Sequence, residues 1–235
     1  WRHPEPGWVV ASLLGPDALP DDERHLATID PRAQVADDAR VGAGCVIRAG
    51  VVVGEGVILE PRVVLCSGVE LRRGVRVGAG SVLGRAGFGW AQGPGGFLRV
   101  PHRGGVLVGE GAELGALCTV DAGVLAPTVI GAGARLDSHV HVGHNVQIGA
   151  GTFVAAQSGF AGSVVVGRGV RVGGQVGVAD HITIGDEAQL AAKSGVIGDV
   201  PARSVVAGYP AVERTRWLRA LARLFSADPR RRKSP

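Results

Sequence analysis

Three residues of this chain, His144, Gly162 and His181, have the types and spacing that acyl transfer requires. An imidazole changes charge near neutral pH and can take a proton from an attacking amine. A glycine beside it leaves a backbone N–H unobstructed, able to hold the oxyanion of a tetrahedral intermediate. Such a set works only if the chain between them returns to one edge of the molecule. The elements that carry them therefore decide the matter.

An aliphatic residue recurs at every sixth position from Ile29 to Leu83, resumes at Val108, Leu114 and Val120, and then runs from Ile130 to Val196. Six is neither the helical period nor the alternation of a long strand; it is a hexapeptide repeat. Each hexad makes a short strand and a corner, with the aliphatic first and small fifth positions inward. Three hexads close a coil of about eighteen residues, and successive coils stack about 4.8 Å apart. One coil cannot bury its own face, so stability comes from stacking. Thirty-nine glycines and no methionine suit a thin core of Val, Ile and Leu. A β-sandwich with Gly-rich turns is the competing all-β reading, and the in-phase run from Ile29 to Leu83 counts against it. The fold expected is an all-β solenoid with a short C-terminal α-helix.

On this frame His144 is the third residue of the hexad at Val142 and His181 the fourth of the hexad at Val178, 36 residues or two coils later. Both leave one edge of the prism, about 10 Å apart along its axis. Gly162 takes the third position in the coil between them. His139, His141 and His144 spell His-x-His-x-x-His but occupy the fourth, sixth and third positions of their hexads, so no shared metal is expected. Solenoid histidines without chemistry are the competing reading of these residues.

Residues 1–28, with Pro4, Pro6, Pro16 and Pro20, carry no hexads and read as an irregular N-terminal segment, the remnant of a larger domain. The absence of methionine suggests that the original N-terminus is not represented. The coil spans 29–211. It is interrupted by an insertion at 84–107, expected to be a loop without regular elements, and such loops usually serve function. A second interruption is the ten-residue step from Val120 to Ile130. Gly87-Phe88-Gly89 lacks the strand–helix context of a dinucleotide motif.

Cys45 and Cys118 fall at small, inward fifth positions, which reads as core packing in a reducing, cytoplasmic setting. No signal peptide is visible, and no apolar run is long enough for a transmembrane segment. Residues 212–235 hold eight basic residues against two acidic, a local charge of +6 within a net +4. Within them Trp217, Leu218, Leu221, Leu224 and Phe225 take helical spacing over 214–225. An amphipathic helix with a basic tail follows, suited either to packing on the coil end or to meeting an acidic partner. No aromatic-and-basic face accompanies the charge, so nucleic acid is not the expected partner.

Gly143-His144-Asn145, the run Ala156–Ser163, Gly173–His181, Ala191–Val196 and Gly87-Phe88-Gly89-Trp90 together resemble the UDP-3-O-acylglucosamine N-acyltransferases of lipid A biosynthesis. The resemblance covers roughly residues 29–225. It implies a left-handed parallel β-helix, an exception to right-handed crossovers, and transfer of a 3-hydroxyacyl chain from acyl carrier protein to the 2-amine of a UDP-linked 3-O-acylated glucosamine. It implies His144 as base, His181 as second active-site histidine, Gly162 as oxyanion donor, and substrate contacts from Phe88, Trp90, Asn145, Asp121 and His141. It further implies a homotrimer with no bound cofactor, the donor being the acyl-4′-phosphopantetheine of the carrier protein, which Arg214, Arg216, Arg219 and Arg223 would meet. The chain departs from the family pattern at Ser138 and His141, where Asn and Gln are common. It departs again at Asp121-Ala122-Gly123, where Asp-Arg-Gly is usual. An acetyl-CoA-dependent transferase on another nucleotide amino-sugar and a non-catalytic scaffold are the alternatives.

Overall fold

A computed structural model describes residues 5–14, 20–208 and 214–226. The chain between Thr28 and Val206 winds into a parallel β-helix with three faces, parallel sheets of nine, eight and nine strands. The hexad positions stack as their period demands. On the first face Ile29, Ile47, Leu65, Leu83, Val120, Val142, Phe160, Val178 and Val196 pair coil on coil. Val35 to Ile184 line the second face and Val41 to Val206 the third. Most of these side chains are fully buried, as are Cys45 and Cys118 at their fifth positions. Burying a Val, Leu or Ile stabilises by about 1.5–3 kcal/mol, so the axial stack is the main source of rigidity for anything mounted on the corners.

Both interruptions fall at the corner between the first and second faces, in adjacent coils, because Leu83 and Val120 are paired neighbours. The first is not the irregular loop expected. Trp90–Gly93 and Gly96–Arg99 form an antiparallel hairpin closed by Pro94-Gly95. Proline and glycine supply the turn that alternating residues on either side then follow. Before the hairpin, the strand Val82–Ala86 runs past the corner beside Thr119–Ala122 with a register shift that sets Arg85 opposite Asp121. Gly84 permits this bulge: its φ is +84°, and a methyl group there would meet Val69 Cγ2 at 2.5 Å.

The N-terminal segment also departs from expectation. Helix α1 spans Pro6–Leu14, where an irregular segment was read. Proline is tolerated at the first helical position, since that N–H has no intrahelical acceptor to lose. Helix α2 spans Arg214–Ser226. It carries Arg214, Arg216, Arg219 and Arg223, and Arg219, Arg223, Leu218 and Leu224 are exposed. The tail cations Arg230, Arg231, Arg232 and Lys233 lie outside the described residues.

Candidate active site

The corner after each first-face strand carries the site. Val142, Phe160 and Val178 are consecutive rungs of that face, so the residues two places on, His144, Gly162 and Asp180, stack along one edge. Asn145, Ser163 and His181 follow them. All three of these have left-handed backbones, with φ of 60°, 62° and 57°. That conformation is tolerated by asparagine but costs ordinary residues of the order of 1 kcal/mol. Adjacent coils are tied at this corner, Ser163 N–H donating to His144 O at 2.9 Å and His181 N–H to Gly162 O at 3.1 Å.

A hydrogen-bond network fixes the tautomer of His144. Asn145 Oδ1 accepts from Val124 N–H at 3.1 Å, and Asn145 Nδ2 donates to Ala126 O at 3.1 Å, which sets the orientation of the amide. His144 Nδ1 lies 3.2 Å from that same Oδ1. An oxygen already accepting can only accept again, so Nδ1 carries the proton and Nε2 presents its lone pair. Nε2 lies directly over Gly162: a methyl group on Gly162 would sit 2.6 Å from both Cε1 and Nε2. The Gly162 N–H donates to no acceptor among the described residues. The imidazole edge thus packs against a glycine whose N–H is uncommitted.

His144, Gly162 and His181 border a recess of about 500 Å³ with Phe88, Asp121, His141 and Asp180, a size suited to a small ligand. A larger groove of about 830 Å³ runs along the third face past Arg76, Glu113, Arg135, Phe153 and Arg171. No imidazole is among the residues that line it, whereas the smaller recess holds His141, His144 and His181. Asp121 is almost wholly buried, its Oδ1 2.9 Å from Arg85 Nε. His141 Nε2 stands 3.9 Å from Asp121 Oδ2, and its Nδ1 meets Thr119 Oγ1 at 2.7 Å.

The structure therefore brings together His144, Gly162, His181, Phe88, Asp121 and His141. It does not bring Trp90 to the recess; that ring lies on the hairpin with the Arg99 guanidinium 5.7 Å from its centroid. Nor does Asn145 line the recess; its Oδ1 faces Val124 N–H and His144 Nδ1 and its Nδ2 donates to Ala126 O, because the insertion at 123–126 folds back onto it. His139 leaves the opposite corner of the first face, its N–H donating to Ala116 O, while His141 projects from the face itself. Among the described residues no group of three or more His, Cys, Asp or Glu side chains could hold a metal.

Sequence reasoning missed three residues. Asp180 was legible, as the third-position residue one coil beyond Gly162. Arg85 and His102 come from the insertion, where no period places them. His102 packs edge-to-face on His144, ring centroids 5.1 Å apart at 69°.

The bacterial transferase hexapeptide family model, six repeats long, matches residues 50–85 and 127–162. A UDP-3-O-acylglucosamine N-acyltransferase of Bordetella parapertussis is 51% identical over 152 residues, 55% of this chain and 42% of that protein. One from Caulobacter vibrioides is 51% identical over 146 residues, 62% of this chain and 43% of its own. The chain thus spans less than half the length of these curated relatives. Among solved structures, LpxA from Acinetobacter baumannii superposes with a TM-score of 0.73 at 24% identity, covering 83% of this chain and 76% of that one. UDP-N-acetylglucosamine O-acyltransferase (LpxA) from Moraxella catarrhalis gives 0.72 at 21%, covering 89% and 85%. These likenesses show the fold, a left-handed parallel β-helix. The chain carries the repeats of the bacterial hexapeptide transferases and is similar, along its coil, to the UDP-3-O-acylglucosamine N-acyltransferases.

Proposed function

We propose that the chain is an N-acyltransferase that moves a 3-hydroxyacyl group from the phosphopantetheine thioester of acyl carrier protein to the 2-amine of a UDP-linked, 3-O-acylated glucosamine in lipid A biosynthesis. The observation that carries this reading is the Nε2 edge of the His144 ring packed on Gly162, whose N–H donates to no acceptor among the described residues. As the amine nitrogen attacks the thioester carbonyl, Nε2 takes its proton. Gly162 N–H donates to the oxygen that becomes negative. Collapse of the tetrahedral intermediate breaks the C–S bond, and the departing sulfur receives the proton from His144. A positioned base contributes about 10²–10⁴-fold and one oxyanion donor about 10²–10³-fold.

His181, two coils beyond His144 along the edge, steadies the thioester arm, and Phe88, Asp121 and His141 meet the sugar. The first face beside the recess is bare at Gly159 and Gly177, where added methyl groups would meet no atom. An open strip accepts a long acyl chain, which favours the fatty-acyl donor over acetyl-CoA. The exposed Arg219 and Arg223 of α2, with Arg214 and Arg216, suit an acidic carrier protein. The reading includes a homotrimer with the recess between copies, no bound cofactor, and a cytoplasmic setting. The cysteines Cys45, Cys66 and Cys118 are free, and no helix among the described residues is long and apolar enough to cross a membrane.

The test supplies hydroxyacyl carrier protein and acetyl-CoA side by side, with UDP-3-O-acylglucosamine as acceptor, and follows thiol release and amide formation. Turnover with the carrier protein is expected. Turnover with acetyl-CoA alone, or with neither donor, would overturn the proposal.

A further inference from the structure

His102 is a half-buried imidazole that the proposed reaction does not use. Its Nδ1 lies 2.8 Å from Val100 O. A carbonyl only accepts, so Nδ1 is the donor and the ring's second nitrogen, in the neutral form, is an acceptor. That Nε2 is sealed from solvent and has no hydrogen-bond partner. An unmet buried acceptor is destabilising, and a group kept at such a cost calls for an explanation beyond packing. The surrounding chain is cut to fit this ring. A methyl group on Gly89 would lie 2.8 Å from His102 Cε1, and one on Gly87 would lie 3.2 Å from its Nε2. The ring thus fills the space that both glycines leave, and it also meets the imidazole of His144.

From this geometry we infer that His102 is a positioning residue that holds the His144 imidazole over Gly162 and so couples the 84–107 insertion to the base. His144 is held on one side by a single hydrogen bond from Nδ1 to Asn145, about which the ring can still pivot. On another side Gly162 offers no Cβ to stop it. The His102 ring, T-shaped to it, is a further wall, and Val100 anchors that wall within the insertion. Ring contact is the working part; the Nδ1–H bond sets where the ring sits. A catalytic contribution through His144 rests on the acyltransferase reading, whereas the placement of His144 does not.

The test uses the full chain labelled at histidine and glycine. It reads the nuclear Overhauser contact between the His144 ring protons and the Gly162 α-protons, together with steady-state kinetics. In His102→Ala and His102→Asn the contact is expected to weaken at least threefold, with kcat falling about tenfold and KM within twofold. Asn keeps a donor for Val100 while lacking the ring, so it separates the two contributions. His102→Phe restores a ring edge without either nitrogen, and should recover the contact and most of the lost rate. A His144–Gly162 contact that survives in both His102→Ala and His102→Asn overturns the inference, as does failure of His102→Phe to restore it. Absence of turnover in the unaltered chain would count against the acyltransferase reading alone, because the contact is measured without substrate.

Discussion

Replacing Gly162 with alanine adds one methyl group where the structure leaves room only for an imidazole. The backbone at 162 is not in the left-handed region, so alanine brings no conformational strain. The new Cβ would stand 2.6 Å from His144 Nε2 and Cε1, whereas ordinary contact begins at 3.4 Å, so the ring must retreat by the difference, about 0.8 Å. A shift approaching 1 Å at a reacting atom costs about 10²-fold in rate, or about 2.7 kcal/mol of barrier. The fold should barely notice, since His144 is partly exposed and can swing outward. The expected result is a kcat about 10²-fold lower by thiol release, KM within threefold, and a melting temperature within about 3 °C of the parent. Unchanged turnover in Gly162→Ala would refute the reasoning, because the base would then not be working where its lone pair lies.

Other outcomes follow from the same coordinates. Asn145→Ala removes the acceptor shared by Val124 N–H and His144 Nδ1–H and places alanine at φ 60°. A loss of about 1–2 kcal/mol in denaturant melts and about tenfold in kcat is expected. Phe160 is the largest fully buried side chain among the described residues and precedes Gly162 by two places in the same coil, so Phe160→Ala should cost about 3–5 kcal/mol, read by thermal unfolding. Burial pushes the Cys45 and Cys118 thiols up. A thiol reagent at neutral pH should therefore label the half-buried Cys66 first and the other two only on unfolding. Because the folded state keeps protons that the unfolded chain releases, the stability these two residues contribute should decline as pH rises through about 8.5.

The period of six made the coil legible because each hexad repeats the same contacts. Once Ile29 and Ile47 are aligned, the neighbours of Leu65 and Leu83 are determined as well. The shared edge of His144, Gly162 and His181 follows from the same arithmetic, and the structure places all three on it. Legibility ended where the period did. His102 and Arg85 reach the site through the insertion, whose contacts are set by a bulge at Gly84 and a hairpin and not by any repeat. The hairpin itself left a signal in Gly93-Pro94-Gly95-Gly96, flanked by Trp90 and Phe97, which the absence of hexads obscured. Asn145 shows the limit at single-residue scale. Its hexad position says which edge it occupies, but only the folded 123–126 segment shows that its amide is already engaged. Helix α1 was masked by the prolines in and around it, although Pro6 stands at a position where a helix accepts one.

The central claim is that His144 is the base at this edge. Its most direct test compares His144→Ala with the parent chain on hydroxyacyl carrier protein and UDP-3-O-acylglucosamine, scoring the amide product by mass spectrometry alongside a thermal melt. A loss of at least about 10³-fold in product formation, with the melt preserved, is the predicted result. Product formed at the parental rate by the folded variant would contradict the account.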